Sequence, residues 1–560
     1  MVSLLTGLLL FFAYRASSTA PTPYSRQPRN PLVVRLPKYG TFHGTQILTT
    51  LNSIPLDEAV DAWLGIDYAT QPVGESRFAP VTWPPPFQGI WDSSQYGPVC
   101  IQNPTGTPNA QSEACLNLNV YRTTSVPLSK KLPVLAWIHG GSFVGGSGRS
   151  FDGAAFVAAS SVPIMAVTFQ YRLGALGSLP SALFEEAGIL NLGLQDQRMF
   201  LEFIKYYISQ FGGDPDAITL GGQSAGGHSV GIHYFHNYGA DAGKPLFSQV
   251  ILSSGSPTAR AFPNATYPLY RRQFSQFMAA LNCPESPNDT ALACLRAVDI
   301  SLIQSAQARL YSSSEYNITW PFQPVSPGPT FEKRASQSGE DGTFFPLPLL
   351  ISSTTDEGKG FTPRNLTTNS DYLHFLANLA PGLTQPDLED LNRLYPDPAL
   401  GPGLSPYTKS LNSTQYNRIS ATYGDYSYIC PIQESAYRIS SAGLSVYKAR
   451  FNTPNNAKPW QGIPHASDSK YFNGLPDAQF PDVAELYHSY YVSFVATGDP
   501  NTHAIEGAPY WEAYGGLGGG ELVIGNMGRR GTYMEREREG IRMEQCAWWR
   551  DPERMARLNK

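Results

Sequence analysis

Short runs rich in Val, Ile and Leu alternate with amphipathic stretches along most of this chain, and that alternation constrains its fold more than any other feature. The clearest runs are Leu132–His139, Pro163–Tyr171, Ala217–Gly221, Gln249–Ser253, Pro346–Ser352 and Leu444–Phe451. Continuous apolar runs of this length predict strands buried on both faces. Gly193–Phe211 and Ala484–Thr497 instead carry apolar residues at helical spacing. Strands and helices in alternation predict an α/β fold, with a mostly parallel mixed sheet flanked by helices on both faces. The stretch Thr258–Gly342, rich in Pro, Ser and Asn, reads as irregular helical insertions above that sheet. No linker divides the chain, so residues 31–555 are expected to form a single domain.

Composition narrows the partners. With 40 Lys and Arg against 45 Asp and Glu, the formal net charge is −5, which leaves no basic excess for nucleic acid. Leu4–Tyr14 is a short apolar run followed by small residues up to Ala20, the pattern of a secretory signal over residues 1–20. An uncleaved anchor or a disordered start is the plainer reading of the same residues. The run is too short to span a bilayer, and no later stretch is long and apolar enough to do so. Six cysteines in three neighbourhoods fit an oxidising compartment. Asn-x-Ser/Thr sequons at Asn264, Asn288, Asn317, Asn365 and Asn412 agree with that expectation.

The segment AITLGGQSAGGHSVG holds two overlapping G-x-S-x-G matches, centred on Ser224 and Ser229. Such a match means little without its context, and here the context decides. Ala217–Gly221 is strand-like and the residues after Ala225 are helix-like, so Ser224 falls at the strand-to-helix corner. A sharp turn between small neighbours would project its hydroxyl. Ser229 would lie more than a turn into the helix, with its hydroxyl left to cap or to face solvent.

A serine attacks a carbonyl only with a base to take its proton and donors to hold the oxyanion. His139-Gly140-Gly141-Ser142-Phe143 follows a predicted strand and resembles an oxyanion loop. Gly140 and Gly141, with the N–H of Ala225, are the expected donors. An acid should follow at a strand end, and Asp356 and Glu357 in Ser352–Gly358 are both available; spacing alone does not choose between them. Among the four histidines beyond Glu357, His374 and His488 sit in helical patterns and His503 follows a polar turn. His465, on a loop after Leu444–Phe451, is the expected base. His233 and His236 have helical spacing but no third ligand, so they read as a helix face and no metal site is expected.

Several long segments together carry a resemblance to the type-B carboxylesterase family. They run from Trp63 to about Trp549 and include WLGIDYATQPVGESRF, EACLNLNVY, VLAWIHGGSF, FQYRLGALG, NLGLQDQRMFLEFI, FGGDPDAITLGGQSAGG, TDEG, GIPH, VATGDPN and QCAWW. The resemblance implies an α/β-hydrolase fold. It implies Glu357 as the acid, and disulfides Cys100–Cys115, Cys283–Cys294 and Cys430–Cys546. The departures are also informative. Gln223 precedes the serine where cholinesterases carry Glu, and the loop between Cys100 and Cys115 is short and has no aromatic residue. That loop therefore lacks both the cation-binding Trp of cholinesterases and the amphipathic flap of long-lid lipases.

The expectation is a secreted serine hydrolase of small carboxylic esters, acting through an acyl-enzyme and needing no metal or organic cofactor. A lipase acting on acylglycerols is the alternative within enzymes. A non-catalytic binding module of the neuroligin kind is the alternative from another class, and the presence of every expected catalytic residue counts against it.

Overall fold

A computed structural model of the chain describes residues 32–103, 109–236, 244–313, 318–455, 457–537 and 542–560, so the expected leader and the Asn317 sequon lie outside it. Eleven strands form one sheet. In chain order they are β1 (Thr45–Thr49), β2 (Pro55–Asp67), β3 (Asn117–Thr123), β4 (Leu132–Ile138), β5 (Met165–Phe169) and β6 (Gly213–Gln223). Then follow β7 (Gln249–Ser253), β8 (Leu349–Thr354), β9 (Val446–Phe451), β10 (Gly520–Ile524) and β11 (Tyr533–Arg536). Their spatial order is β11-β10-β9-β8-β7-β6-β4-β5-β3-β2-β1. From β5 to β10 every neighbouring pair is parallel, while β11 at one edge and β3, β2 and β1 at the other are antiparallel. This is the mostly parallel mixed sheet of the α/β-hydrolase fold.

The strand residues divide between the two faces as their period of two requires. Val134, Ala136 and Ile138 of β4 join one core cluster, with Val250, Leu252, Leu349 and Ile351. Leu135 and Trp137 join the other, with Ile251 and Leu350. The first face is covered by helices α1 (Leu192–Tyr207), α2 (Ala225–Tyr234) and α3 (Cys430–Ser441), and the second mainly by α4 (Pro481–Thr497). The insertion forms helices Pro268–Ala280, Asn288–Ala297 and Ile300–Ser312 around Phe274, Phe277, Met278, Leu295 and Ile303.

Sequence reading finds the central strands and misses the edges. β10 and β11 carry acidic residues that look solvated, yet Glu521 is fully buried. It pairs with Lys448 and, at 2.9 Å, with Arg450, while Lys448 also reaches Glu537 at 3.0 Å. Burial opposes charge on Lys448, but the two carboxylates outweigh it and hold its pKa above the usual lysine value. Lys448→Met would leave buried Glu537 without its cation and Glu521 with Arg450 alone. It is expected to cost about 3–5 kcal/mol, read by denaturant unfolding. A loss under about 1 kcal/mol would mean that the cluster is hydrated and loosely held.

Candidate active site

Ser224 occupies the corner between β6 and α2 with φ 58° and ψ −127°, a conformation a non-glycine residue rarely adopts. Its N–H donates to Ser253 O at 3.0 Å and its carbonyl accepts from His228 N at 2.8 Å, which ties the corner to β7 and to the first turn of the helix. The turn is this tight only because its neighbours are small. A Cβ on Gly226 would lie 2.0 Å from Ile138 O. The positive end of α2 starts at the next residue, so the site sits where backbone N–H groups favour negative charge. Ser229, expected to cap or face solvent, is instead fully buried and accepts a hydrogen bond from Gln197 Nε2 at 3.0 Å. The helix packs against α1 at that position, so no solvent face exists there.

The glycine loop from His139 to Gly146 lies against this corner. A Cβ on Gly140 would stand 2.9 Å from Ser224 Cβ, so the two residues are in van der Waals contact. Gly141 has φ +114°, and Ser142 and Phe143 follow at +58° and +64°, a run of strained backbone that turns the chain sharply. The N–H groups of Gly140 and Gly141 have no backbone acceptor among the described residues. Ala225, as the first residue of α2, has no acceptor within its own helix. Gln102 clamps the far end of the loop, donating to Gly146 O and accepting from Gly146 N, each at 2.9 Å. His139 stacks on Tyr171 with ring centroids 4.5 Å apart, and burial lowers its pKa to about 4, so it supports the loop as a neutral ring. A cavity of about 240 Å³ opens beside Gly141, lined by Val144, Tyr311 and Phe322.

His465 Nδ1 lies 2.5 Å from Glu357 Oε2. The other carboxylate oxygen accepts from Ser254 Oγ at 2.6 Å and from Thr354 N at 2.7 Å. An ionised carboxylate only accepts, so Nδ1 carries the proton and Nε2 presents a lone pair. Nε2 has no hydrogen-bond partner among the described residues. The structure also separates the two acidic candidates that spacing leaves open. Asp356 points away from the imidazole, accepting from Ile463 N at 3.0 Å and pairing with Lys359 at 3.1 Å. It fastens the loop that carries His465.

Two groups at the site escape sequence reading. Tyr428 belongs to a π-helical turn, Asp425–Ile429, just before α3. Its ring centre lies 4.5 Å from that of His465, and its side chain neighbours that of Ser224, so it lies beside both residues. Asp468 is fully buried, accepts from Gln223 Nε2 at 3.0 Å, and leaves Oδ2 without a partner. Gln223 Oε1 in turn accepts from Ser469 Oγ at 2.8 Å. Burial, and then the charge of Glu357, push the Asp468 pKa up to about 7.

The remaining expected residues fall as follows. All three disulfides form, Cys100–Cys115, Cys283–Cys294 and Cys430–Cys546. Asn264, Asn288 and Asn365 are exposed, whereas the amide nitrogen of Asn412 is buried. His233 is on α2, paired with Gln197, and His236 lies just past the helix end against Glu332 rather than on its face. His374 is exposed, His488 is buried against Phe472 O, and His503 is half-buried.

Comparison with known proteins bears on the chain as a whole. Residues 30–549 match the model of the carboxylesterase family. The chain is 52% identical over 542 residues to secreted lipase 4 of Gibberella zeae, covering 96% of each protein. It is 31% identical over 480 residues to para-nitrobenzyl esterase of Bacillus subtilis, covering 82% of this chain and 90% of that one. The crystal structure of Aspergillus niger EstA superposes with a TM-score of 0.81 at 30% identity, covering 95% of this chain and 99% of that chain.

Asp468 gives the site a pH signature. Its carboxyl is protonated more readily in the fold than in the unfolded chain, so it imposes no penalty below about pH 4 and a growing one as pH rises to about 7. Asp468→Asn mimics the protonated form. The variant is expected to gain stability relative to wild type between pH 5 and pH 8, read as a widening difference in Tm. A difference that stays constant over that range would mean that Asp468 is already ionised at pH 5.

Proposed function

The chain belongs to the carboxylesterase family, and we propose that it is a secreted serine hydrolase of small carboxylic esters acting through Ser224, His465 and Glu357. One observation carries the reading. An enclosed carboxylate holds His465 by Nδ1 and leaves Nε2 free, and Tyr428 lies beside both His465 and the strained serine.

In the first half-reaction Ser224 Oγ bonds to the ester carbonyl carbon while its proton passes to His465 Nε2. The carbonyl π electrons become an oxyanion, held by the N–H groups of Gly140, Gly141 and Ala225. When the tetrahedral adduct collapses, the C–O bond to the alcohol breaks and the alcohol leaves with the proton from Nε2. Water then attacks the acyl-enzyme by the same route, releasing the acid and restoring Ser224. Glu357 keeps Nδ1 protonated and stabilises the imidazolium. Losing one oxyanion donor would raise the barrier by about 3 kcal/mol.

Secretion is supported by three disulfides, by the apolar start of the chain, and by the name of the Gibberella zeae relative. That name also favours a second reading, hydrolysis of acylglycerols. The short loop between Cys100 and Cys115, with no aromatic residue, favours soluble esters instead.

The test is hydrolysis of p-nitrophenyl esters from acetate to palmitate, and of emulsified tributyrin, by wild type and Ser224→Ala. The reading predicts turnover of dissolved short and medium esters and a fall of about 10⁴- to 10⁶-fold in kcat for the variant. A rate that rises sharply only once tributyrin forms droplets would support the lipase reading. A folded wild type inert on every ester would overturn both.

A further inference from the structure

Arg260 is 3% exposed and lies close to the proposed active site. Among the described residues its guanidinium has no hydrogen-bond acceptor and no carboxylate within ion-pair distance, and Nη1 is enclosed without a partner. Its contacts are aromatic: its central carbon stands 3.8 Å from the ring centre of Trp320 and 5.9 Å from that of Phe143 in the glycine loop. A cation–π contact returns less than the burial of an unpaired cation costs. Buried charges are ordinarily paired, and the described residues supply Arg260 with no counter-charge.

The side chain lines a cavity of about 340 Å³, the size of a small-molecule site. Leu269, Ile318, Trp320, Leu379 and Tyr426 give part of it an apolar wall. Ser326 and Gln323 line the same cavity, and the hydroxyl of one and the amide oxygen of the other are enclosed without a hydrogen-bond partner. Gln323 is held in place by its Nε2, which donates to Tyr270 Oη at 2.6 Å and to Ala261 O at 2.9 Å. The cavity's other cation, Arg557, is already paired with Asp387. One unpaired guanidinium matches a monoanion, and its planar fork matches a carboxylate. The apolar wall suits a hydrocarbon body.

We propose that this cavity binds an organic carboxylate with a medium-length hydrocarbon chain, its charged end on Arg260. The carboxylate comes from one of two sources, a free acid released by hydrolysis or the distal acid group of a half-ester substrate. Both sources rest on the proposed ester hydrolysis, whereas binding itself does not.

Binding is therefore measured on the catalytically disabled full chain, Ser224→Ala, by calorimetry with octanoate and with octanamide. Octanoate is expected to bind at least about tenfold more tightly, and Arg260→Met added to this background is expected to abolish the preference. Ala556→Trp, an exposed substitution at the cavity mouth, is expected to weaken octanoate binding while leaving Arg260 in place. It decides the matter alone should the Arg260 variant fail to fold. Equal binding of octanoate and octanamide, or unchanged octanoate binding in the folded variants, would overturn the proposal. Wild-type kcat/KM on monoethyl suberate and ethyl octanoate then separates the sources. A preference for the half-ester that Arg260→Met removes assigns the substrate's own acid group, and octanoate binding without that preference assigns the free acid. A chain inert on all esters that still selects octanoate would overturn the hydrolysis reading and leave the site standing.

Discussion

Everything at this site depends on how closely three pieces of backbone approach one another. The end of β4, the corner between β6 and α2, and the glycine loop meet with no side chain between them, because Gly226 and Gly140 have no Cβ to collide with Ile138 and Ser224. That contact allows Ser224 to hold a backbone conformation that costs of order 1–3 kcal/mol. The central sheet stabilises the strain from outside. β4, β6 and β7 are parallel neighbours buried on both faces, so the corner cannot relax without disturbing the core.

Around that rigid corner the described histidines differ sharply in their surroundings. His139, His228 and His233 are all held neutral, chiefly by burial. Their ring nitrogens support packing and the loop. His465 differs in having a buried carboxylate at Nδ1 and no partner at Nε2. Glu357 turns Oε2 to Nδ1 while Ser254 and Thr354 hold its other oxygen. The second buried acid, Asp468, is pushed toward neutrality in part by Glu357, so the site avoids two full charges side by side.

What could be read from sequence follows from this division. Features set by local backbone were legible: the strand–Gln223–Ser224–helix corner, the glycines after β4, and the central strands with their continuous apolar runs. The choice between Asp356 and Glu357 was not, since adjacent carboxylates differ only in what they meet, Lys359 and Ile463 N or His465. The family resemblance supplied that choice. Tyr428, Asp468 and Arg260 were invisible because packing between distant segments brings them in, and nothing in their neighbours along the chain marks them. Ser229 was misread because a helix buried on two sides offers no wet face. The edge strands β10 and β11 were missed because the partners of their charges lie more than seventy residues away, as Lys448 and Glu521 do.

The central claim is that Ser224, and no other hydroxyl, is the nucleophile prepared by this geometry. It is tested most directly by treating the folded protein with diethyl p-nitrophenyl phosphate, counting the p-nitrophenolate released, and mapping the adduct by peptide mass spectrometry. The account predicts one equivalent released per chain and a single diethylphosphoryl group on Ser224, with none after Ser224→Ala. An adduct on Ser229 or Tyr428, or ester hydrolysis that survives full modification of Ser224, would contradict it.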